Sequence, residues 1–238
     1  SLTGGVAPDT GLANNYSISF DGSDDGVSGM GNCPTGAFTI AAWVYDSTGG
    51  ADETYNFIYS TAGWEIYVTT KGATGDVQVA VGAGSFKKFF TNYDDDPTDA
   101  DGDSPIKRNT WHHLVCTYAG GTGGTGIIYV DGTPLTTTSN SGLHNAVASA
   151  GKIGISADSS ANQWTGYIDE FAIWSVVLDS DDVTSIYNNR VPNDLTDGDS
   201  YNTDRTSSLL GYWRFEEGTG TSPEDGSGND NTGTLENG

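Results

Sequence analysis

The segment Tyr212-Trp213-Arg214-Phe215-Glu216-Glu217-Gly218-Thr219-Gly220 reads as an aromatic strand running into a turn, and a second turn cluster follows at Asp225-Gly226-Ser227-Gly228-Asn229-Asp230-Asn231. An aromatic strand needs a sheet to pair with. Only 3 residues follow Leu235, so the expected partner lies earlier in the chain or in another molecule. The strand-like residues 16–20 supply the candidate, and the polar connection over 190–206 is long enough to carry the last strand back to them at roughly 3.3 Å per residue.

Between these two ends the chain reads as short strands: 38–45, 55–60, 64–69, 76–81, 86–92, 111–118, 126–130, 152–156, 164–175 and 209–215. Thirty-four Gly residues, with abundant Thr, Ser, Asn and Asp, supply the turns that such strands need. In residues 38–45 the alternation puts Phe38, Ile40, Ala42 and Val44 on one face and Trp43 and Tyr45 on the other. A strand apolar on both faces belongs near the middle of a layered sandwich or carries a ligand groove on its second face. Asp131-Gly132 marks a tight hairpin, since glycine takes positive φ without steric cost. One helix is predicted near 179–189: Asp179 caps it, Asp182 stands in a capping-box position, and Val183, Ile186 and Tyr187 share a face. No linker-like tract interrupts the pattern. The expectation is an arm over 1–14 and one domain over 15–238, with strand 209–215 and loop 225–235 completing the sheet beside 16–20.

The ordered motifs Y-W-x-F-E-E-G-x-G, D-x-S-G-N-x-N-x-G, S-F-D-G-S-D-D, F-T-I-x-x-W-V, W-H-H-L-V-x-T-Y, I-Y-V-D-G and G-Y-I-D-E-F-A-I-W resemble the laminin-G-like, concanavalin-type jelly roll. Here the first two motifs stand at the end of the chain. Similar rotated versions recur in virion proteins of marine phages. The resemblance implies an all-β, two-sheet antiparallel jelly-roll sandwich.

Charge narrows the partners. Nine Lys and Arg against 32 Asp and Glu give −23, a surface that repels phosphate backbones and anionic lipid, so nucleic acid and membrane insertion are not expected. No run approaches the roughly twenty apolar residues of a membrane-spanning helix. An acidic, lysine-poor surface suits saline media, and bound divalent cations would relieve its self-repulsion. The two cysteines, Cys33 and Cys116, are expected as free thiols, with Cys116 an inward-facing small hydrophobe, although a bridge between them stays open.

Paired carboxylates are the first candidates for chemistry, because the jelly-roll glycosidases that the chain resembles carry theirs at alternating positions of one strand. Asp169 and Glu170 are adjacent and on a regular strand would face opposite sides, which argues against hydrolysis. His112 and His113 diverge for the same reason, and His144 stands alone. The acidic loop 94–103 lacks the glycine and closing glutamate of a calcium loop. The resemblance points to a structural Ca²⁺ held by Asp225, Asn229 and Asp169, with a metal-free Asx-rich turn as the alternative. Trp64, Trp164 and Tyr167 are the candidates for stacking on sugar rings, whereas Trp43, Trp111, Trp174 and Trp213 fall in motifs that pack the core.

The expected function is a non-catalytic recognition or adhesion module, glycan-binding, on an extracellular or virion surface. Its rivals are a purely structural virion protein binding its own neighbours, as a capsid decoration or fibre module, and a polysaccharide hydrolase or lyase. Oligomerisation is left open.

Overall fold

The computed structural model describes residues 14–47, 55–61, 65–71, 76–83, 86–91, 106–121, 124–139, 149–157 and 163–237. Trp64, His144 and the loop 94–103 lie outside them.

Two antiparallel sheets face one another. The front sheet holds β1 (Ile18–Asp21), β3 (Phe38–Asp46), β8 (Trp111–Tyr118), β9 (Gly126–Val130), β10 (Thr133–Pro134), β13 (Thr165–Trp174) and β14 (Leu209–Trp213), in the order β1-β13-β3-β8-β9-β10 with β14 also on β13. The back sheet holds β2 (Gly26–Ser28), β4 (Tyr55–Ser60), β5 (Glu65–Lys71), β6 (Asp76–Ala83), β7 (Phe86–Thr91), β11 (Thr137–Ser139), β12 (Lys152–Ile153) and β15 (Thr234–Glu236), in the order β11-β7-β6-β5-β4-β12-β2-β15. The predicted all-β two-sheet sandwich is what forms. Four short strands, β2, β10, β11 and β15, fall where the sequence shows turns and loops.

Alternation decides which side chains meet. Phe38, Ile40, Ala42 and Val44 of β3, Leu114, Cys116 and Tyr118 of β8, and Ile168, Phe171 and Ile173 of β13 form the front wall of the main core. Ile58, Tyr59, Ile66, Val27 and Ile153 supply the back wall. Cys33 and Cys116 are both free and buried. Burial pushes the Cys33 thiol up to about 12.

The outer face of the front sheet carries a second core. Helix α1 (Ser180–Tyr187) lays Val183 and Ile186 on it, joined by Leu178, Leu195 and Tyr201, against Ala41, Val115, Trp174 and Tyr212. Asp179 caps α1 by accepting from the Asp181 and Asp182 amides. Asp182 does not reach back as a capping box would. Its buried carboxylate instead accepts from Arg205 Nε at 2.6 Å and the Thr203 amide at 2.9 Å, tying the 190–206 connection to the helix.

One edge of β13 is shared by two strands. β1 pairs with residues 165–168 and β14 with residues 171–174, so the two segments meet end to end opposite Asp169 and Glu170. Glu216 closes that junction by accepting from the Asn15 and Tyr16 amides at 2.9 and 3.0 Å.

Candidate functional site

Helix α1 covers only part of the outer face. Its last residue, Tyr187, stacks over Trp43 and His113 with ring centroids 6.0 Å from each. Asn188, Asn189 and Arg190 then turn away in left-handed conformations. Beyond that turn a row of aromatics stays partly exposed. Tyr45 pairs across the strands with Trp111 on one side and Tyr167 on the other, because β3 lies between β8 and β13. Centroids are 5.7 Å apart for Tyr45–Trp111, 5.6 Å for Tyr45–Tyr167 and 6.3 Å for Trp111–Tyr167, all tilted or edge-on. Arg190 borders the row, its guanidinium donating to the Trp111 carbonyl at 3.1 Å.

This placement corrects the sequence reading of the aromatics. Tyr167 is on the row as a candidate. Trp164 is fully buried inside the main core, so its indole has no face left for a sugar. Trp111, read as core, is partly exposed, and Tyr45 joins it. The alternation in 38–45 already turned Tyr45 away from the core face. What it lacked was the register that sets three rings side by side.

The next row inward is Asp169, Trp43 and His113. Here the expectation that Asp169 and Glu170 diverge fails. The register slips between Asp169 and Ala172, with Glu170 at φ 48°, so β13 carries an extra residue and both carboxylates lie on the outer side. Glu170 accepts from the Tyr212 hydroxyl and from Arg214 Nε at 3.2 Å. Asp169 accepts from the Glu170 amide at 2.9 Å, and the Asn14 amide nitrogen bridges Asp169 Oδ2 at 3.1 Å and Glu216 Oε1 at 2.8 Å. Burial, with the charges of Glu170 and Glu216 beside it, holds the Asp169 carboxyl well above the usual range. Burial likewise raises Glu170 to about 7, although Arg214 and Tyr212 pull it down. The space beside Glu170, bounded by Trp43, His113, Ile186, Pro192 and Asn193, amounts to about 10 Å³.

Among the described residues, neither His112 nor His113 is poised for chemistry. His112 Nε2 accepts from the Lys107 amide, so Nδ1 carries the proton that meets Asp131 Oδ2 at 2.9 Å. Burial lowers His113 to about 4.

Of the expected calcium ligands Asp225, Asn229 and Asp169, the first two are engaged by hydrogen bonds of the 225–231 loop and Asp169 lies at the β1–β14 junction. Asp225 Oδ1 accepts from the Tyr212 and Ser227 amides and Oδ2 from the Asn231 amide, all at 2.9–3.0 Å. Asn229 turns its amide nitrogen onto the Leu209 and Leu210 carbonyls, and Asn231 does the same to Leu210. The loop thus covers the free edge of β14 with its own polar groups, while Asp169 belongs to the β1–β14 junction. Among the described residues, carboxylate oxygens close enough to share a hard cation group at Asp21, Asp24 and Asp25, the first two exposed and the third half-buried.

Two facing antiparallel sheets with one helix laid on the outer side of the front sheet define the class of fold. The family model described as the concanavalin A-like lectin/glucanases superfamily, of laminin G type, matches residues 20–184, and the chain belongs to that family. Comparison with curated protein sequences returns no match. Among solved structures the chain is similar to a putative carbohydrate-binding protein from Bacteroides ovatus, at 19% identity over 93% of this chain and 58% of that one, with a TM-score of 0.61. It is also similar to a heptameric SAP-like pentraxin from Limulus polyphemus, at 18% identity over 72% and 81% with a TM-score of 0.56. A third is the enzymatically active domain of tailspike protein 2 from bacteriophage CBA120, at 12% over 85% and 30% with a TM-score of 0.58. The chain therefore spans just over half of the Bacteroides protein and under a third of the tailspike.

Proposed function

We propose that this chain is a non-catalytic glycan-recognition module working on an extracellular or virion surface. The observation that carries the reading is the partly exposed row Tyr167–Tyr45–Trp111 on a rigid sheet. Pyranose rings present apolar C–H faces that pack on aromatic rings, and strands hold such rings at fixed spacing without an ordering cost on binding. The similarity to a putative carbohydrate-binding protein supports the ligand class, and the similarity to a tailspike domain together with the −23 charge supports the exterior setting.

The buried carboxylates support the non-catalytic part. A retaining glycosidase needs two carboxyl groups about 5 Å apart lining an open groove. Asp169 and Glu170 share a side, but both are buried and saturated by Tyr212, Arg214, Asn14 and a backbone amide, and the space beside Glu170 admits no sugar ring.

Affinity electrophoresis through gels containing neutral and acidic polysaccharides tests the proposal. Retardation by at least one polysaccharide is expected, weakened about tenfold or more in Trp111→Ala and in Tyr167→Ala, since tenfold corresponds to about 1.4 kcal/mol of lost stacking. No retardation by any polysaccharide, or retardation indifferent to both changes, would reject it.

A further inference from the structure

A second feature lies at the opposite end of β13, along the edge of β14 that the loop 225–231 covers. The space between that edge and the back sheet is a cleft of about 230 Å³. Met30, Ile173 and Trp213 form its apolar floor, each at most 2% exposed, and Asn32, Asn229 and Asn231 stand among its lining residues. From these residues we propose that the cleft binds a single uncharged sugar ring, at a site separate from the aromatic row.

The hydrogen bonding around the cleft gives the ligand its chemistry. The amino groups of Asn229 and Asn231 are committed to the Leu209 and Leu210 carbonyls, and the Trp213 indole nitrogen donates to the Asn231 carbonyl at 2.9 Å. What the two asparagines still offer is a pair of fixed Oδ1 acceptors, which hydroxyl donors complement. Gly31 keeps that wall clear: it stands at φ 71°, and a Cβ there would press to 2.7 Å from Asn231 Oδ1. An apolar floor beneath fixed acceptors suits a ring with a C–H face and hydroxyls along its edge. No lining residue is charged, and Asp225 and Asp230 belong to the same loop in a chain of −23, so an anionic sugar is disfavoured. The volume lies below the roughly 300–1,000 Å³ of sites for larger ligands, which fits one ring rather than a chain of them.

The proposal uses none of the residues of the aromatic row and stands or falls apart from it. The test is a two-dimensional ¹H–¹⁵N titration of the whole chain, following the Trp213 indole cross-peak. The probes are galactose, glucose, mannose, arabinose and N-acetylglucosamine, each to ~100 mM, well above the millimolar dissociation constant expected of one ring; glucuronate is the charged control. At least one neutral sugar should move the peak saturably and glucuronate should not. Asn229→Ala should weaken the response tenfold or more. Because that change could also loosen the loop, Asn32→Trp fills the mouth from an exposed position outside the loop's hydrogen bonds and should abolish the response at an unchanged melting temperature. In Trp111→Ala the response should persist. No movement with any neutral sugar, equal movement with glucuronate, an undiminished response in Asn32→Trp, or its loss in Trp111→Ala would each overturn the proposal.

Discussion

Replacing Glu170 by glutamine should change how stability depends on pH. The carboxyl is 3% exposed, between Tyr212 and Arg214, and burial raises it from 4.5 to about 7. Unfolded, it titrates near the ordinary value of about 4.3. The folded state therefore holds the proton more tightly, and the stability this group contributes is full below about 4.5 and is lost as pH rises towards about 7. At about 1.36 kcal/mol per pH unit, the interval from 4.5 to about 7 corresponds to about 3 kcal/mol. Asp169, raised by burial and by the Glu170 charge, pushes the same way. His113, lowered by burial to about 4, loses stability as pH falls below its ordinary 6.5, but it is common to both proteins and drops out of their difference. Urea unfolding of wild type and Glu170→Gln at pH 5, 6, 7 and 8 measures that difference. The two should be nearly equally stable at pH 5, with the variant gaining about 3 kcal/mol relative to wild type by pH 8. Parallel stability curves across this range would refute the reasoning.

Asp225→Asn should cost about 1.5–3 kcal/mol, because three backbone amides lose a charged acceptor, and the fall in melting temperature should be the same in Ca²⁺ and in chelator. A loss seen only in Ca²⁺ would make Asp225 a metal ligand. Trp164→Ala should cost about 3–5 kcal/mol as a core truncation, measured by denaturant unfolding, and leave polysaccharide retardation in place. Arg205→Ala should cost about 3–5 kcal/mol by leaving the buried Asp182 carboxylate without its cation; a change under about 1 kcal/mol would mean that the carboxylate finds other company.

The sandwich was legible because its signals are local. Strict alternation in 38–45 separates Phe38 and Ile40 from Trp43 and Tyr45, and Asp179 before an apolar i, i+3, i+4 pattern marks the helix start. The candidate site was less legible because it depends on register. Tyr45, Trp111 and Tyr167 are far apart in the chain and share a row only through two strand pairings. The bulge left no trace in sequence: Glu170 takes a left-handed conformation without being glycine, and its cost is borne by the Tyr212 and Arg214 bonds. Asp182 shows the same limit. Its spacing fits a capping box, yet Arg205, 23 residues on, claims the carboxylate. The loop 225–231 carries a second use that sequence alone does not separate from cation binding: the Asp225 oxygens accept from β14 and loop amides, and the Asn229 and Asn231 amide nitrogens donate to β14 carbonyls.

The central claim is that the aromatic row binds glycan, and the indole cross-peak of Trp111 reports on it most directly. In a ¹H–¹⁵N titration with the neutral or acidic oligosaccharide that corresponds to the polysaccharide giving the strongest retardation, Trp111 should shift saturably, while the buried Trp43, Trp164 and Trp174 stay in place. Tyr167→Ala should reduce the apparent affinity about tenfold or more. An oligosaccharide that binds the chain without moving Trp111, or one that moves every indole alike, would contradict the account.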